Sequence, residues 1–292
     1  MKAGIAGYGV WARGLEGVEG FEASANGGFT SIAGAEFLAP QPAAVPPKER
    51  RRAGLMINLA VEVAHQACEN AGVDKTQIPS VFVSALGDTA ITDYMCRKLA
   101  QPEKLLSPTK FHNSVHNAPS GYWTISAGNR APSSFVGGFR ESFGAGLLEA
   151  VSQAHAYSVP VLLVAYDIAN NAPFKDIEPI AETLAIALVV TNGDAKGAGE
   201  ASNIRCCEIE YQTDLPEAWS CSQPRSENLQ ALSQANPVGC GLAVIEALGI
   251  DGRDPAVKQS TFCVPAAPDA ALQLKFLQEE SSGANSTTGS VI

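Results

Sequence analysis

Two histidines stand four residues apart in the segment Phe111-His112-Asn113-Ser114-Val115-His116-Asn117. On a helix that spacing puts both imidazoles on one face, as a metal pair requires. The H-E-x-x-H arrangement needs a glutamate directly after its first histidine, and here that position is Asn113. No acidic residue occurs between Lys104 and Asn129, so no third ligand is at hand and no metal is expected. Ser114 is the one hydroxyl close enough in sequence for an imidazole to activate, as an acyltransferase or hydrolase would require. The other reading is a packed polar segment that satisfies its own hydrogen bonds.

The remaining chemistry-bearing residues read as structural. The seven cysteines are odd in number and show no C-x-x-C spacing. Cys206 and Cys207 are adjacent in a strand-like run and so point to opposite faces. The set is expected to be buried, reduced thiols, with Cys96 on a helix. Ser133-Ser134, after Pro132, lacks a G-x-S-x-G elbow and reads as a helix N-cap. Gly137-Gly138 and Gly144-Ala145-Gly146 lack the G-x-G-x-x-G pattern after a strand, so no nucleotide cofactor is implied. Small residues inside a helix instead permit close packing.

The elements that must position these residues alternate between strand and helix. Residues 3–12 form a first strand, and 13–45, rich in Gly, Ala and Pro, read as loop. A helix of about 20 residues follows Pro46-Pro47, with Gly72 as its stop. Its Met56, Leu59, Ala60, Val63, Ala64 and Ala67 recur at helical spacing and define a buried face. Residues 79–85 form a strand, and Asp88-Thr89 cap a helix over 90–100. Residues 101–130 read as irregular, and 133–157 as one long helix. Pro160–Ala165 and Leu184–Val190 are wholly apolar strands, as in a central sheet covered on both faces. Ile204–Tyr211, Thr261–Val264 and Leu272–Leu277 read as further strands, and Gly241–Leu248 as a short helix. The fold class is α/β.

The chain of 292 residues, 46% hydrophobic, is long enough for a sizeable core. No apolar run reaches the ~20 residues that span a bilayer. The N-terminus lacks a signal-peptide core, so a cytoplasmic protein is expected. A net charge of −10 argues against nucleic acid. One basic cluster, Lys48-Glu49-Arg50-Arg51-Arg52, is either a solvated start to the helix or a contact for an acidic partner. Residues 279–292, rich in Ser, Gly, Thr and Asn, read as a disordered tail.

The order of these elements resembles the β-ketoacyl synthases. "RRAGLMINLAVEVAHQACENAGV" (51–73) resembles their early helix, and "SPTKFHNSVHNAPSGYWTISAGN" (107–129) the approach to their nucleophile turn. "GAGLLEAVSQAHAYSVPVLLVAYD" (144–167) and "AETLAIALVVTN" (181–192) resemble the helix and core strands beyond it. The likeness covers residues 1–195 and points to standalone β-ketoacyl synthase-like N-terminal domain proteins. These are similar to the chain-length-factor partners of aryl-polyene synthases. It implies a thiolase-like layered fold, with residues 196–278 a reduced or divergent second half.

In that family the nucleophilic Cys sits on a strand-to-helix turn and two His come from the second half. Aligning Ile125–Asn129 with the turn puts the reactive position on Asn129, or Arg130 with a one-residue shift; neither is a nucleophile. No histidine lies beyond His155. The resemblance therefore implies a non-catalytic subunit, without cofactor, that pairs with an active β-ketoacyl synthase and shapes its acyl tunnel. Phe111, His112, Asn113, His116 and Asn117 would lie at the subunit interface or tunnel mouth. Lys48, Arg50, Arg51 and Arg52 would meet an acyl carrier protein. An enzyme of altered chemistry at His112 or His116, and a scaffold that only binds carrier protein, are the rival readings.

Overall fold

The computed structural model describes residues 1–26, 32, 34–193, 204–216, 219–249 and 261–277. The expected tail, 279–292, lies outside these residues. The chain opens with β1 (Lys2–Ala12), β2 (Leu15–Glu16), α1 (Gly17–Asn26) and α2 (Pro47–Ala71). There follow β3 (Ser80–Val83), α3 (Thr89–Leu99), α4 (Pro108–Asn113), α5 (Ala118–Ala127), β4 (Ser133–Val136) and α6 (Ser142–Tyr157). Next come β5 (Val161–Asp167), β6 (Leu184–Thr191), β7 (Arg205–Gln212), α7 (Glu227–Ala235), α8 (Gly241–Gly249), β8 (Thr261–Ala267) and β9 (Ala270–Phe276).

The nine strands among the described residues belong to one sheet, ordered β4-β3-β5-β6-β1-β7-β9-β8 with β2 paired to β1. β4, β3 and β5 are mutually parallel, and the pairings from β5–β6 onward are antiparallel. The strands β5 and β6 are buried along their whole length. Their side chains divide by the period of two: Val161, Leu163 and Ala165 face one core, and Leu162, Val164 and Tyr166 the other. On the first side α6 and α8 cover the sheet, with Phe143, Leu147, Val151 and Val244 in the core. On the second side α2 and α5 cover it, with Leu59, Val63, Ala67 and Trp123. The wholly apolar strands are thus explained by helices on both faces.

Glycine decides how closely these layers approach. A Cβ at Gly7 or Gly9 of β1 would collide with the α2 backbone at Ala71 and Val63, so α2 lies directly on the strand. A Cβ at Gly144 or Gly146 of α6 would strike the carbonyl of Pro265 in β8 and the side chain of Val83 in β3. The small residues of α6 serve close packing, as the sequence reading expected.

Three stretches differ from that reading. Residues 13–45 are not all loop: the chain turns back as β2 and then forms α1, whose Phe21 is buried and packs edge-on against Tyr8 at 5.8 Å. Residues 101–130 are not irregular, because Ser107-Pro108 starts α4, and α5 carries Pro119 in its first turn and ends at Gly128 with φ 64°. Ser133-Ser134 do not cap a helix. They are the start of β4, where pairing with β3 outweighs the serine capping preference, and Ser80 Oγ lies 3.0 Å from Ser133 Oγ. The cysteines also depart from expectation: Cys96 is exposed on α3, and Cys206, Cys221 and Cys263 are half-buried.

The layer contacts give a direct test. Replacing Gly144 by Ala drives a methyl group into backbone that cannot rotate away, and is expected to cost ~1–3 kcal/mol of stability. Urea unfolding of the variant measures this, and an unchanged midpoint would contradict the packing described.

Candidate functional site

The parallel strands β3, β4 and β5 end on the same edge of the sheet, where α/β folds place their sites. At the end of β4 the chain turns through Gly137 and Gly138 and one 3-10 turn, Phe139–Glu141, into α6. Phe139 is held at φ 48°, in the left-handed region that residues with a Cβ avoid. Such strain costs ~1–3 kcal/mol and persists only where the surroundings impose it. Here Ser142, fully buried, does so: its Oγ accepts from Gly138 N at 2.9 Å and donates to Phe139 O at 2.8 Å. Arg140 adds a two-pronged ion pair to Glu178, with Nε–Oε2 at 3.1 Å and Nη2–Oε1 at 2.9 Å.

A sharp, strained strand-to-helix turn at a helix N-terminus is the geometry that displays an activated nucleophile. This one displays a phenyl ring, 59% exposed, which has no nucleophilic atom. Ser142 has its hydroxyl engaged on both sides. Asn129 and Arg130, assigned to this role from sequence, stand elsewhere. They follow the C-terminus of α5 on a helix-to-strand connection. Asn129 is buried there, its Nδ2 donating to Lys75 O (2.7 Å) and Ile78 O (2.9 Å) and its Oδ1 accepting from Ala131 N (2.7 Å). It ties a loop down. The β-rich run Ser133-Ser134-Phe135-Val136 ahead of Gly137-Gly138 is the sequence signal for this strand-to-helix turn.

Beneath the turn lies a buried carboxylate. Asp167, at the end of β5, accepts from Ser84 Oγ (2.7 Å) and from Ala85 N (3.0 Å) at the end of β3. Asn236 Nδ2 donates to the Asp167 carbonyl at 3.0 Å and to Glu182 O at 2.7 Å. Burial pushes the Asp167 carboxyl up to about 6, against the opposing pull of the Ser84 and backbone hydrogen bonds. On the other face of the sheet, burial beside Lys75 pushes His65 down to about 4. Its ring packs edge-on to Trp123 at 4.9 Å.

The segment 111–117 does not keep its histidines on one helical face, because α4 ends at Asn113. His112 packs against Tyr122, and His116 against Phe135 with ring centroids 5.1 Å apart. Ser114 Oγ donates to Phe111 O at 2.8 Å. Among the described residues no three His, Cys, Asp or Glu side chains converge as a metal site. Asn113 is buried and closes the kink that Gly54, at φ 82°, puts in α2. Its Nδ2 donates to Arg52 O (2.7 Å) and Ala53 O (3.3 Å), the two carbonyls just before the kink.

Beside this joint opens a cleft of about 690 Å³. Val45 and Pro46 line one wall, Phe111 and Val115 another, and Tyr122 and Ile125 the α5 side; Glu49, His112, Asn117 and Ser126 supply its polar side chains. Ile125 is 83% exposed and Phe111 61%, so a strongly apolar surface faces outward here. Of the five residues singled out in sequence, Phe111, His112 and Asn117 line the cleft, while Asn113 and His116 pack behind it. Lys48, Arg51 and Arg52 are exposed on the segment of α2 before the kink. Arg50 is half-buried, with Nη1 donating to Gln41 O at 3.1 Å.

A parallel triplet feeding a strained turn, a central helix packed through glycines and helices on both faces define a ketosynthase-type fold. The chain belongs to the family described as "Beta-ketoacyl synthase, N-terminal domain", whose model matches residues 31–240. A chain from the structure of a ketosynthase (ApeO) in complex with its chain length factor (ApeC), from Xenorhabdus doucetiae, is 22% identical. It superposes with a TM-score of 0.63 over 94% of this chain and 99% of that one. The ishigamide ketosynthase/chain length factor is 12% identical with a TM-score of 0.65, covering 95% and 100%. AntDE:AntF, a type II polyketide acyl carrier protein in complex with its ketosynthase bound to the hexaketide, is 10% identical with a TM-score of 0.65, covering 94% and 99%. At these identities the likeness is one of fold, which is thiolase-like. No curated protein matches the chain.

The two buried ionisable groups predict opposite pH dependences. Asp167 titrates higher folded than unfolded, so its contribution to stability is present at low pH and lost as pH rises from about 4 to about 6. His65 titrates lower folded, so its contribution is present above about 6.5 and lost as pH falls towards about 4. Relative to the parent, Asp167→Asn is expected to gain stability as pH rises through this window, by on the order of 1–3 kcal/mol. His65→Gln is expected to gain as pH falls. Urea midpoints at half-unit pH steps check both signs, and parallel curves would refute them.

Proposed function

We propose that this chain is a non-catalytic ketosynthase-like subunit that pairs with an active β-ketoacyl synthase and shapes its acyl tunnel. The observation that carries the reading is Phe139. A turn strained in the manner of a nucleophile display holds a phenyl ring in place of a thiol. A condensing enzyme needs that thiolate and imidazoles to bind the thioester oxygen. The only histidines are His65, His112, His116 and His155. His65 is buried against Trp123, His112 and His116 pack on aromatic rings, and His155 Nε2 meets Lys2 O at 2.6 Å.

The cleft supports the pairing. Phe111, Val115 and Ile125 place apolar area on the outside of a strongly acidic chain, where a partner subunit would cover it. The apolar lining suits a growing hydrocarbon or polyene chain in a type II fatty-acid or polyene-type pathway of the cytoplasm. The exposed Lys48, Arg51 and Arg52, with Arg50 behind them, suit an acidic acyl carrier protein at the rim. We take residues 1–195 as the ketosynthase-like region and 196–278 as a reduced second half. A hydrolase or acyltransferase built on Ser114 draws no support, since its hydroxyl is bonded to Phe111 O.

Co-expression with a β-ketoacyl synthase of the same host, followed by size-exclusion chromatography with mass determination, tests the pairing. A one-to-one complex is expected, and Ile125→Asp should weaken it at least tenfold while leaving the isolated chain folded, because Ile125 is exposed. A monomer that no ketosynthase retains would overturn the reading.

A further inference from the structure

Helix α2 is one helix in chain order but two pieces in geometry. Gly54 stands at φ 82° and ψ 176°, outside the helical region, and a Cβ there would meet open space. Residues 47–53 are therefore joined to the rest of α2 through one non-helical residue. Three ties fix this first piece. Asn113 of α4 donates from Nδ2 to Arg52 O at 2.7 Å and to Ala53 O at 3.3 Å. Asn58, beyond the bend, donates from Nδ2 to Arg50 O at 3.0 Å. Arg50 Nη1 donates to Gln41 O at 3.1 Å.

The piece has two faces. Glu49 lines the cleft, while Lys48, Arg51 and Arg52 face solvent. Arg52 Nη1 lies 3.5 Å from Glu49 Oε1, so a charge pair links the outer face to the inner one. The tie from Asn113 also reaches the cleft. Tyr122, on its α5 side, donates its hydroxyl to Asn113 Oδ1 at 3.4 Å. Phe111 and His112, on the same short helix as Asn113, line it too. Burial, then the Glu49 carboxylate, push the Tyr122 hydroxyl above its ordinary value while Arg52 pulls it back, so the charges of this piece are felt inside the cleft.

We propose that residues 47–53 are a hinged wall of the cleft, turning at Gly54 and latched by Asn113, and that an acidic protein gripping the outer basic face opens it. That face is the carrier-protein contact of the proposed function, on which this coupling rests. Carboxylates of the acidic protein engage Arg51 and Arg52 and draw Arg52 away from Glu49. Glu49 loses its counter-charge at the edge of an apolar lining and turns to water. The wall swings with it, Asn113 releases its two carbonyls, and the cleft loosens its hold on an apolar occupant. The effect is reciprocal, because one coupling free energy acts on both ligands.

The test uses the full chain without any ketosynthase, Nile red as the apolar probe and poly-L-glutamate as the acidic one. Saturating polyglutamate is expected to raise the dye Kd about fivefold or more, and saturating dye to raise the polyglutamate Kd by the same factor. In Asn113→Ala the latch is already cut. The dye is expected to bind more weakly from the start, and polyglutamate to change its Kd by less than about twofold. Gly54→Ala adds a methyl group that meets nothing and disfavours only the bend, so it is expected to behave in the same way even where Asn113→Ala fails to fold. Polyglutamate that binds without altering dye affinity, or variants that keep the full response, would overturn the coupling alone. A chain that binds no polyglutamate would overturn the carrier contact and the coupling with it, and one that takes up no dye would overturn the coupling as well.

Discussion

Helix α6 lies against the sheet only because Gly144 and Gly146 offer no side chains to hold it away. That approach constrains everything at its N-terminal end. β4 must finish beside β3, and the chain must then reach the start of α6 within Gly137–Glu141. A path that short requires a sharp reversal, and the reversal falls on Phe139 in a left-handed conformation. Ser142 fixes the turn from within, and the Arg140–Glu178 pair fixes it from outside. The turn therefore keeps its geometry with or without a reactive residue on it.

The second face of the sheet follows a different logic. α2 lies directly on β1 through Gly7 and Gly9, but its first turns must bend away to present the basic segment. Gly54 permits the bend, and Asn113 bonds the two carbonyls just before it. The apolar cleft and the basic rim are thereby joined at one hinge. A partner gripping Phe111 and Ile125 and a carrier protein meeting Arg51 and Arg52 would act on the same short piece of structure.

Much of the framework was legible in the sequence because its signals are local. The apolar runs of β5 and β6, the stop at Gly72 and the cap at Asp88 each act through near neighbours. What was missed depends on distant partners. Ser133-Ser134 carry a helix-capping signal, and only pairing with β3 makes them strand. Asn129, in the connection just before them, holds a loop at Lys75 and Ile78. Phe21 stands among small residues in sequence, and its burial depends on distant packing that includes Tyr8. The cleft was half legible: the aromatic and polar run 111–117 marked the region, but Val45, Pro46 and Ile125 reach it from elsewhere in the chain.

We propose that this chain sets the outcome of a condensation it does not itself perform. The most direct measurement is a reconstituted elongation assay with the partner ketosynthase, carrier protein and extender, reading the length of the carrier-bound product. The account predicts no condensation by this chain alone. It also predicts products of defined length with both subunits, and a shifted length distribution when Ile125→Ala or Phe111→Ala enlarges the cleft. Condensation by the isolated chain, or a length distribution indifferent to its presence and to both substitutions, would contradict it.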